Sequence, residues 1–323
     1  MNKILVTGGA GFIGSAFINK QLTEVILVDN ITYAGSMDRI TRDVDHYEVD
    51  IADAAALRGV IQGNADITHV VHFAAESHVD NSILNPGMFI RTNVNGTANL
   101  LNLCMRYLPN LEKFVHVSTD EVYGSLGLGD LAFTEEAQIK PNSPYSASKA
   151  SSDLIALSYY STYNYPVVVT NCSNNFGPYQ HPEKLIPKVI HNIANGTVIP
   201  VYGKGENIRD WIFLDDHVRG IEAVMHNGTP GERYNIGGDN EISNIKLIKY
   251  ISDIMKKVFD QPEAIINFVE DRKGHDFRYA INSSKLKKLG WLITGSFKSN
   301  MESTIRWNLN NKNKIEKLQY FES

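Results

Sequence analysis

Short apolar runs alternate with longer amphipathic ones through the first half of the chain. The runs at 4–7, 24–29, 47–50, 69–73, 114–118 and 166–171 are mostly apolar and β-branched, the pattern of strands buried on both faces. Between them, 11–21, 53–62, 86–107 and 145–163 read as helices. Such alternation predicts a parallel sheet with right-handed crossovers, a Rossmann-type doubly wound α/β fold. Beyond Asn174 the alternation stops, and Gly and Pro become frequent around Gly177, Pro178, Pro182, Gly203 and Gly205. Two helices are still legible, over 184–195 and 244–259, the second with apolar residues at 245, 247, 248, 251, 254, 255 and 258. The second half therefore reads as a smaller substrate-binding domain closing over the carboxyl ends of the strands, where open α/β sheets bind ligands. The division is placed at 1–173 and 174–323, with some later segments returning to the first sheet. The Asn- and Lys-rich stretch from Asn308 to Lys317 reads as a solvated helix end.

The 323 residues are 43% hydrophobic and 21% charged, ordinary for a globular protein, with a net charge of −5. Scattered Lys and Arg and a negative balance argue against nucleic acid as the main partner. The two cysteines, Cys104 and Cys172, sit in apolar surroundings and read as small buried residues, which fits a reducing cytoplasm. No basic stretch followed by an apolar core marks a signal peptide, and no apolar run reaches membrane-spanning length.

Chemistry concentrates at the strand ends. The first strand runs into Gly8-Gly9-Ala10-Gly11-Phe12-Ile13-Gly14, whose glycines permit a tight turn and let backbone N–H groups approach a pyrophosphate at a helix N-terminus. Asp29 ends the second strand, where a carboxylate accepts hydrogen bonds from a ribose 2′-OH; no Arg follows at once to hold a 2′-phosphate, which favours NAD over NADP. In the segment 72–78, His and Glu are not spaced as metal ligands. Small Ala74 and Ala75 beside a cofactor, with Glu76 and His78 facing substrate, is the better reading. The strand at 114–118 leads into Thr119, Asp120 and Glu121, too close to a ligand-binding strand end for a merely solvated turn. Tyr145 and Lys149 lie one turn apart on one helix face. A hydroxyl, an acid, a base, a phenol and an ammonium exceed what a simple dehydrogenase needs, so oxidation is expected to be one step of a longer reaction. Arg209-Asp210-Trp211 and Arg272-Lys273-Gly274-His275-Asp276 are either surface decoration or, if a nucleotide diphosphate binds, its bidentate recognition.

Assembled, these residues resemble the extended short-chain dehydrogenase/reductases, and among them the dTDP-glucose 4,6-dehydratase family. The likeness runs along nearly the whole chain through TGGAGFIG, DNITYAGS, HFAAESHVD, VSTDEVYG, PYSASKASSD, NCSNNFGPYQHPEKLIP, YGKGENIRDW and DRKGHDFRYAI. The resemblance implies an NAD-dependent lyase that oxidises the sugar at C4, eliminates water across C5–C6 and returns hydride to C6. In that reading Asp120 is the acid and Glu121 the base of water loss, Tyr145 and Lys149 run the redox steps, and Thr119 helps hold the 4-hydroxyl. Lys149 and the nicotinamide charge would lower the Tyr145 pKa. NAD contacts are expected from Gly8, Gly11, Phe12, Ile13, Gly14, Asp29, Asn30, Thr32, Asp50, Ile51, Phe73, Ala74, Ala75, Thr92, Tyr145, Lys149 and Asn175. Substrate contacts are expected from Ser77, His78, Asn174, Lys184, Leu185, Pro200, Tyr202, Arg209, Asn244, Arg272 and His275.

Two departures stand out. Asn81 occupies a position where the family pattern has Arg, and Lys273 one where Pro is common. Related epimerases carry small residues in place of Asp120 and Glu121. GDP-mannose dehydratases and UDP-glucuronate decarboxylases usually keep the Glu but lack the Asp. The pair therefore points to the dehydratase, and the presence of Tyr145 and Lys149 argues against a non-catalytic dinucleotide sensor. Thymidine and uridine differ by one methyl group and stay undecided. The resemblance also implies a homodimer through a four-helix bundle of 86–107 and 147–163. Leu100, Leu101, Leu103, Leu154 and Leu157 either serve that interface or face the parent sheet.

Overall fold

A computed structural model describes residues 2–312. The first half runs β1 (Lys3–Thr7), α1 (Phe12–Lys20), β2 (Glu24–Asp29), β3 (Asp45–Glu48), α2 (Ala54–Gly63), β4 (His69–His72), α3 (Val79–Leu84), α4 (Pro86–Phe89), α5 (Thr97–Tyr107), β5 (Lys113–Thr119), α6 (Pro144–Tyr163) and β6 (Val167–Cys172). The expected strands are all present, within a few residues of their predicted ends. The helix expected over 86–107 is one helical run with a π-helical turn, Ile90–Gly96, between α4 and α5. α6 begins where its sequence dictates: Ser143 and Ser146 form a reciprocal capping box and Pro144 occupies the first turn. It stops at Asn164, which adopts a left-handed conformation.

The second half runs β7 (Asn174–Phe176), α7 (Leu185–Asn195), β8 (Val198–Tyr202), β9 (Ile208–Phe213), α8 (Leu214–Asn227), β10 (Arg233–Ile236), β11 (Glu241–Ser243), α9 (Asn244–Phe259), β12 (Ile265–Val269), α10 (Ser284–Lys287) and α11 (Phe297–Asn310). Asn308 is buried and donates to the Thr304 carbonyl, so the start of the Asn-rich stretch is a packed helix end, not a solvated one. The stretch from 313 onward lies outside the described residues.

The main sheet has seven strands in the order β3-β2-β1-β4-β5-β6-β10, and every neighbouring pair is parallel. This is the Rossmann order with a seventh strand supplied by the second half. The order reverses between β1 and β4, which opens a crevice at their carboxyl ends. Both sheet faces are covered. One carries Ile4, Val6, Val71, Val115 and Val168 against α1 and α8 residues such as Phe17, Val218 and Ile221. The other carries Leu5, Val70, Phe114 and Val169 against Leu57, Ile61, Leu100 and Leu101 of α2 and α5. A separate core joins Phe176, Ile190, Trp211, Ile248, Met255, Met301 and Ile305, beside a small sheet in the order β11-β9-β7.

Candidate active site

Above the crevice lies a cavity of about 550 Å³. The turn after β1 forms its floor. Gly8 has φ 71°, and a Cβ there would fall 2.4 Å from the Ala74 nitrogen. A Cβ on Gly14 would fall 2.4 Å from the Gly8 carbonyl oxygen, so only glycine lets α1 start this close to the turn. Asp29 braces the same turn: Oδ2 accepts from the Ala10 N–H and Oδ1 from the Ile31 N–H, each at 2.8 Å. Gly11, Phe12, Ile13, Asn30, Thr32, Asp50, Ile51, Phe73, Ala74, Ala75, Thr92 and Asn175 also line this cavity. The chain thus gathers every position expected at the cofactor. Asp50 falls just beyond β3 rather than in it. Its Oδ1 accepts from the Ala52 N–H and its Oδ2 from Arg91.

The far wall is made by the ends of β5 and β6 and the first turns of α6. Thr119, Glu121, Tyr145 and Lys149 line the cavity. Asp120 lies beside them, buried, and accepts a hydrogen bond from the Thr119 hydroxyl at 3.3 Å. The Glu121 N–H donates to the same hydroxyl at 3.3 Å. Burial, then the charges of Glu121 and Asp210, hold the Asp120 carboxyl well above the usual carboxylate range. Its Oδ2 is buried with no partner among the described residues. Burial also raises Glu121, but Arg209, Arg272 and Lys184 oppose it. Burial and the charge of Glu121 push the Tyr145 phenol well above its ordinary value, with a Thr119 hydrogen bond opposing. The protein's own surroundings therefore raise the phenol, whereas the lowering expected from the sequence belongs to Lys149 and the nicotinamide charge together. The cause is physical: a phenolate in an apolar wall beside two carboxyl groups is poorly solvated. Lys149 is buried, its Nζ donates to the Val117 carbonyl at 2.9 Å, and burial lowers its pKa.

Eight of the eleven positions expected at the substrate fall into two sets. Ser77, Asn174, Lys184 and Leu185 line the cavity. Lys184 Nζ donates to the Ser77 carbonyl at 3.4 Å, and Asn174 Oδ1 is buried without a hydrogen-bond partner. Arg209, Tyr202, Arg272 and His275 form a second group beside it. Arg209 is buried and stacks over Tyr279 at 4.2 Å. Tyr202 packs edge-on against His275 at 6.2 Å. His275 holds Asp271 at 2.7 Å, and Arg272 reaches Asp80 at 3.3 Å while its Nε has no partner. Asn244 starts α9 with a buried, unpartnered Oδ1. His78 lies outside the cavity lining, with Nε2 3.7 Å from Glu183. Pro200 is exposed on β8 and is not part of the cavity wall. Asn81 lies in α3, where its carbonyl accepts from Asn85, and Lys273 is exposed in a turn. Among the described residues no group of His, Cys, Asp and Glu is arranged to hold a metal ion.

A family model described as GDP-mannose 4,6 dehydratase matches residues 5–304. The dTDP-glucose 4,6-dehydratase of Neisseria meningitidis serogroup B is 47% identical, over 97% of this chain and 94% of its own length. The chain belongs to the dTDP-glucose 4,6-dehydratase family. An Escherichia coli dTDP-glucose 4,6-dehydratase is 46% identical over 96% of this chain and 94% of its own. Among solved structures, the family member from Streptomyces venezuelae, crystallised with NAD, superposes with a TM-score of 0.90 at 42% identity, covering 98% of this chain and 99% of that one. The UDP-glucose 4-epimerase of Thermotoga maritima shares the fold at a TM-score of 0.88 but only 27% identity, covering 96% and 99%.

Three groups in this dehydratase-family site were not expected there as site residues. Asn93, in the π-helical turn, donates to the Glu76 carbonyl at 3.0 Å and to Ser148 at 2.9 Å, and accepts from the Glu76 N–H at 2.8 Å. It ties the 76–78 loop to α6. Glu183 meets His78, His181, Lys184 and Tyr33 from one carboxylate. Trp211 lines the cavity with a buried Nε1 that has no hydrogen-bond partner. Their contacts across loops reveal these roles; Trp211 and Glu183 lie in motifs quoted from the sequence, but Asn93 does not.

Proposed function

We propose that this chain catalyses the NAD-dependent conversion of dTDP-glucose to dTDP-4-keto-6-deoxyglucose, a hydro-lyase reaction that serves deoxysugar synthesis. The observation that carries the reading is the Asp120–Glu121 pair. The Asp120 carboxyl is raised well above the usual carboxylate range, whereas half-buried Glu121 is faced by three cations, in one wall with Tyr145 and Lys149. Environments that push two carboxyl groups apart assign acid and base. The residues present fit a dinucleotide. The glycine cradle leaves no room for a side chain, and the Gly-rich turn opens α1, whose first N–H groups suit a pyrophosphate. Bound NAD supplies the reversible hydride acceptor of the cycle.

The chain's own groups do the rest. Tyr145 takes the 4-hydroxyl proton, with Thr119 orienting that hydroxyl and Lys149 stabilising the phenolate. A 4-ketone acidifies the C5 proton, which Glu121 removes. Asp120 gives its proton to the departing 6-hydroxyl. When C6 is reduced, Glu121 returns its proton to C5; Tyr145 releases the 4-hydroxyl proton and Asp120 takes one up through solvent, so each group ends the cycle in its starting state. Arg209, Arg272, Lys184 and His275 face the diphosphate, and Asn174 and Asn244 offer their unpartnered amide oxygens to the rest of the nucleotide sugar. The protein's thymidine preference rests on its relatives' names. Incubation with dTDP-glucose and with UDP-glucose, followed by mass measurement, tests the reading. The expected result is loss of one water from dTDP-glucose. Formation of dTDP-galactose without change of mass overturns it in favour of epimerisation.

The same reading includes a homodimer through α4–α5 and α6, working in the cytoplasm. Leu100, Leu101 and Leu103 are buried in the parent core and are unavailable for it. Among the described residues of these helices, Ile90, Leu154 and Tyr163 are large, apolar and exposed, by 53%, 56% and 58%. Among the described residues no helix is long and apolar enough to cross a membrane.

A further inference from the structure

Behind the cavity wall lies a buried charged cluster that the acid–base chemistry does not use. Asp153 follows Lys149 on α6 at the spacing at which Lys149 follows Tyr145, so all three share a helix face. The side chains of Asp153 and His116 are wholly buried. Asp153 Oδ2 accepts from Arg233 of β10 at 2.8 Å and from the Asn171 amide of β6 at 3.1 Å. His116 Nε2 lies 3.2 Å from Oδ1 and 3.1 Å from the Ser152 hydroxyl. The same Asn171 amide donates to the Thr119 carbonyl at 3.0 Å. Lys149 Nζ donates to Val117, on the same strand, at 2.9 Å. Two charged residues of α6 thus grip the end of β5, one directly and one through Asn171.

The charges in the cluster are settled by its contacts. Burial pushes the Asp153 carboxyl up, but the hydrogen bond from His116 and the charge of Arg233 outweigh it and bring it to about 2. Burial, then the charge of Lys149, lowers His116 to about 4, so it is neutral at pH 7. Burial lowers Lys149, and the charge of Asp153 opposes that. The other titratable groups around Lys149 are Tyr145 on its own helix, His72 on β4, His116 on β5 and Cys172 on β6. Burial pushes His72 well below its ordinary value, with His116 and Lys149 adding to it, and burial raises the Cys172 thiol to about 12. Asp153 is therefore the carboxylate that faces Lys149 from within the cluster.

We propose that Asp153 is a positioning residue of the redox pair. From one turn behind Lys149 its carboxylate holds the ammonium by opposite charge, and through Asn171 it fixes the strand end that carries Thr119, Asp120 and Glu121. The inference rests on the redox role of Tyr145 and Lys149 given above. Asp153→Asn keeps the shape and removes the charge. The pH profile of kcat for the holoenzyme on dTDP-glucose should then lose its alkaline limb about one pH unit earlier, the size of one nearby charge at moderate effective dielectric. Arg233→Gln leaves Asp153 charged beside Lys149 and should not lower that limb. A purely structural role loosens β5 in both variants alike, so equal downward shifts overturn the proposal. An unmoved limb in Asp153→Asn also overturns it. If Asp153→Asn does not fold, Asp153→Asn with Arg233→Met removes both buried charges, and its limb should still fall. Tyr145→Phe separates the two levels: if it keeps full activity the redox reading fails, whereas an inactive Tyr145→Phe with an unmoved Asp153→Asn limb defeats only the role of Asp153.

Discussion

Replacing Glu121 by Gln removes one base and leaves the redox pair in place, so it separates two steps that otherwise run together. The side chain keeps its size, and its backbone N–H keeps the Thr119 hydroxyl. No neighbour is placed to take over. Burial favours the protonated form of Asp120, and Tyr145 is committed to the other proton. The full worth of a general base is therefore expected to vanish, roughly 10²–10⁴ in the rate of water loss. That corresponds to about 3–5 kcal/mol on the barrier. Oxidation at C4 behaves differently. Glu121 is among the charges that hold the Tyr145 phenol up, so its neutralisation makes the phenolate easier to form. The first hydride transfer should proceed undiminished. Mixed with dTDP-glucose, the variant should build up bound NADH, read by its near-ultraviolet absorbance, while loss of water measured by mass spectrometry lags far behind. Dehydration at the parent rate would show that Glu121 is not the base.

Tyr145→Phe should give no NADH signal at all, because the phenol that takes the first proton is gone; a growing absorbance refutes its role. Gly14→Ala places a Cβ 2.4 Å from the Gly8 carbonyl, which should cost about 1–3 kcal/mol of stability and abolish NAD binding in a fluorescence titration; unchanged affinity counts against the cradle. Leu154→Glu should shift a dimer to a monomer by light scattering at micromolar concentration, and a parent protein that is already monomeric removes the bundle altogether. Burial holds His116 at about 4 and His217 at about 3, below their ordinary 6.5. The unfolded chain therefore binds more protons over that range, and the stability these neutral rings contribute is full above pH 6.5 and lost as pH falls toward 4. Urea unfolding at pH 7.5 and pH 5 should show the decline; equal midpoints contradict it.

The sequence made the parts of the site that lie along one strand end or one helix turn legible. The glycines after β1, the Thr119–Glu121 triplet and the Tyr145–Lys149 pair each have a spacing with a physical meaning. The six strands of the first half were legible because burial on both faces leaves an apolar run. The second half was harder for a geometric reason. β7 and β11 span only Asn174–Phe176 and Glu241–Ser243, too short to show a period. β10 joins the main sheet from far along the chain, and Arg233–Ile236 carries no mark of its partner β6. The upward push on the Tyr145 phenol from its protein surroundings was hidden for a similar reason. The lysine one turn away is visible in the sequence, whereas the carboxyl groups brought against the phenol by β5 become visible only in three dimensions. Leu101 and Leu154 look alike on paper, yet one is sealed in the parent core and the other faces out.

The π-helical turn at Ile90–Gly96 has a consequence for how this stretch of chain tolerates change. A straight α-helix fixes the angular offset between its two ends at about 100° per residue. Here the first end must point Arg91 and Thr92 at the cavity and Asn93 at the Glu76 backbone, and the second must point Leu100, Leu101 and Cys104 at the sheet. The wider turn takes up residues that a regular helix would have no room for, and so sets the angular phase between the two faces independently. Deleting a single residue there would restore regular winding at the cost of swinging one face away from its target. Substitutions within 90–96 leave that phase intact, but a change of length does not, so this segment behaves as a ruler whose number of residues matters more than most of their identities.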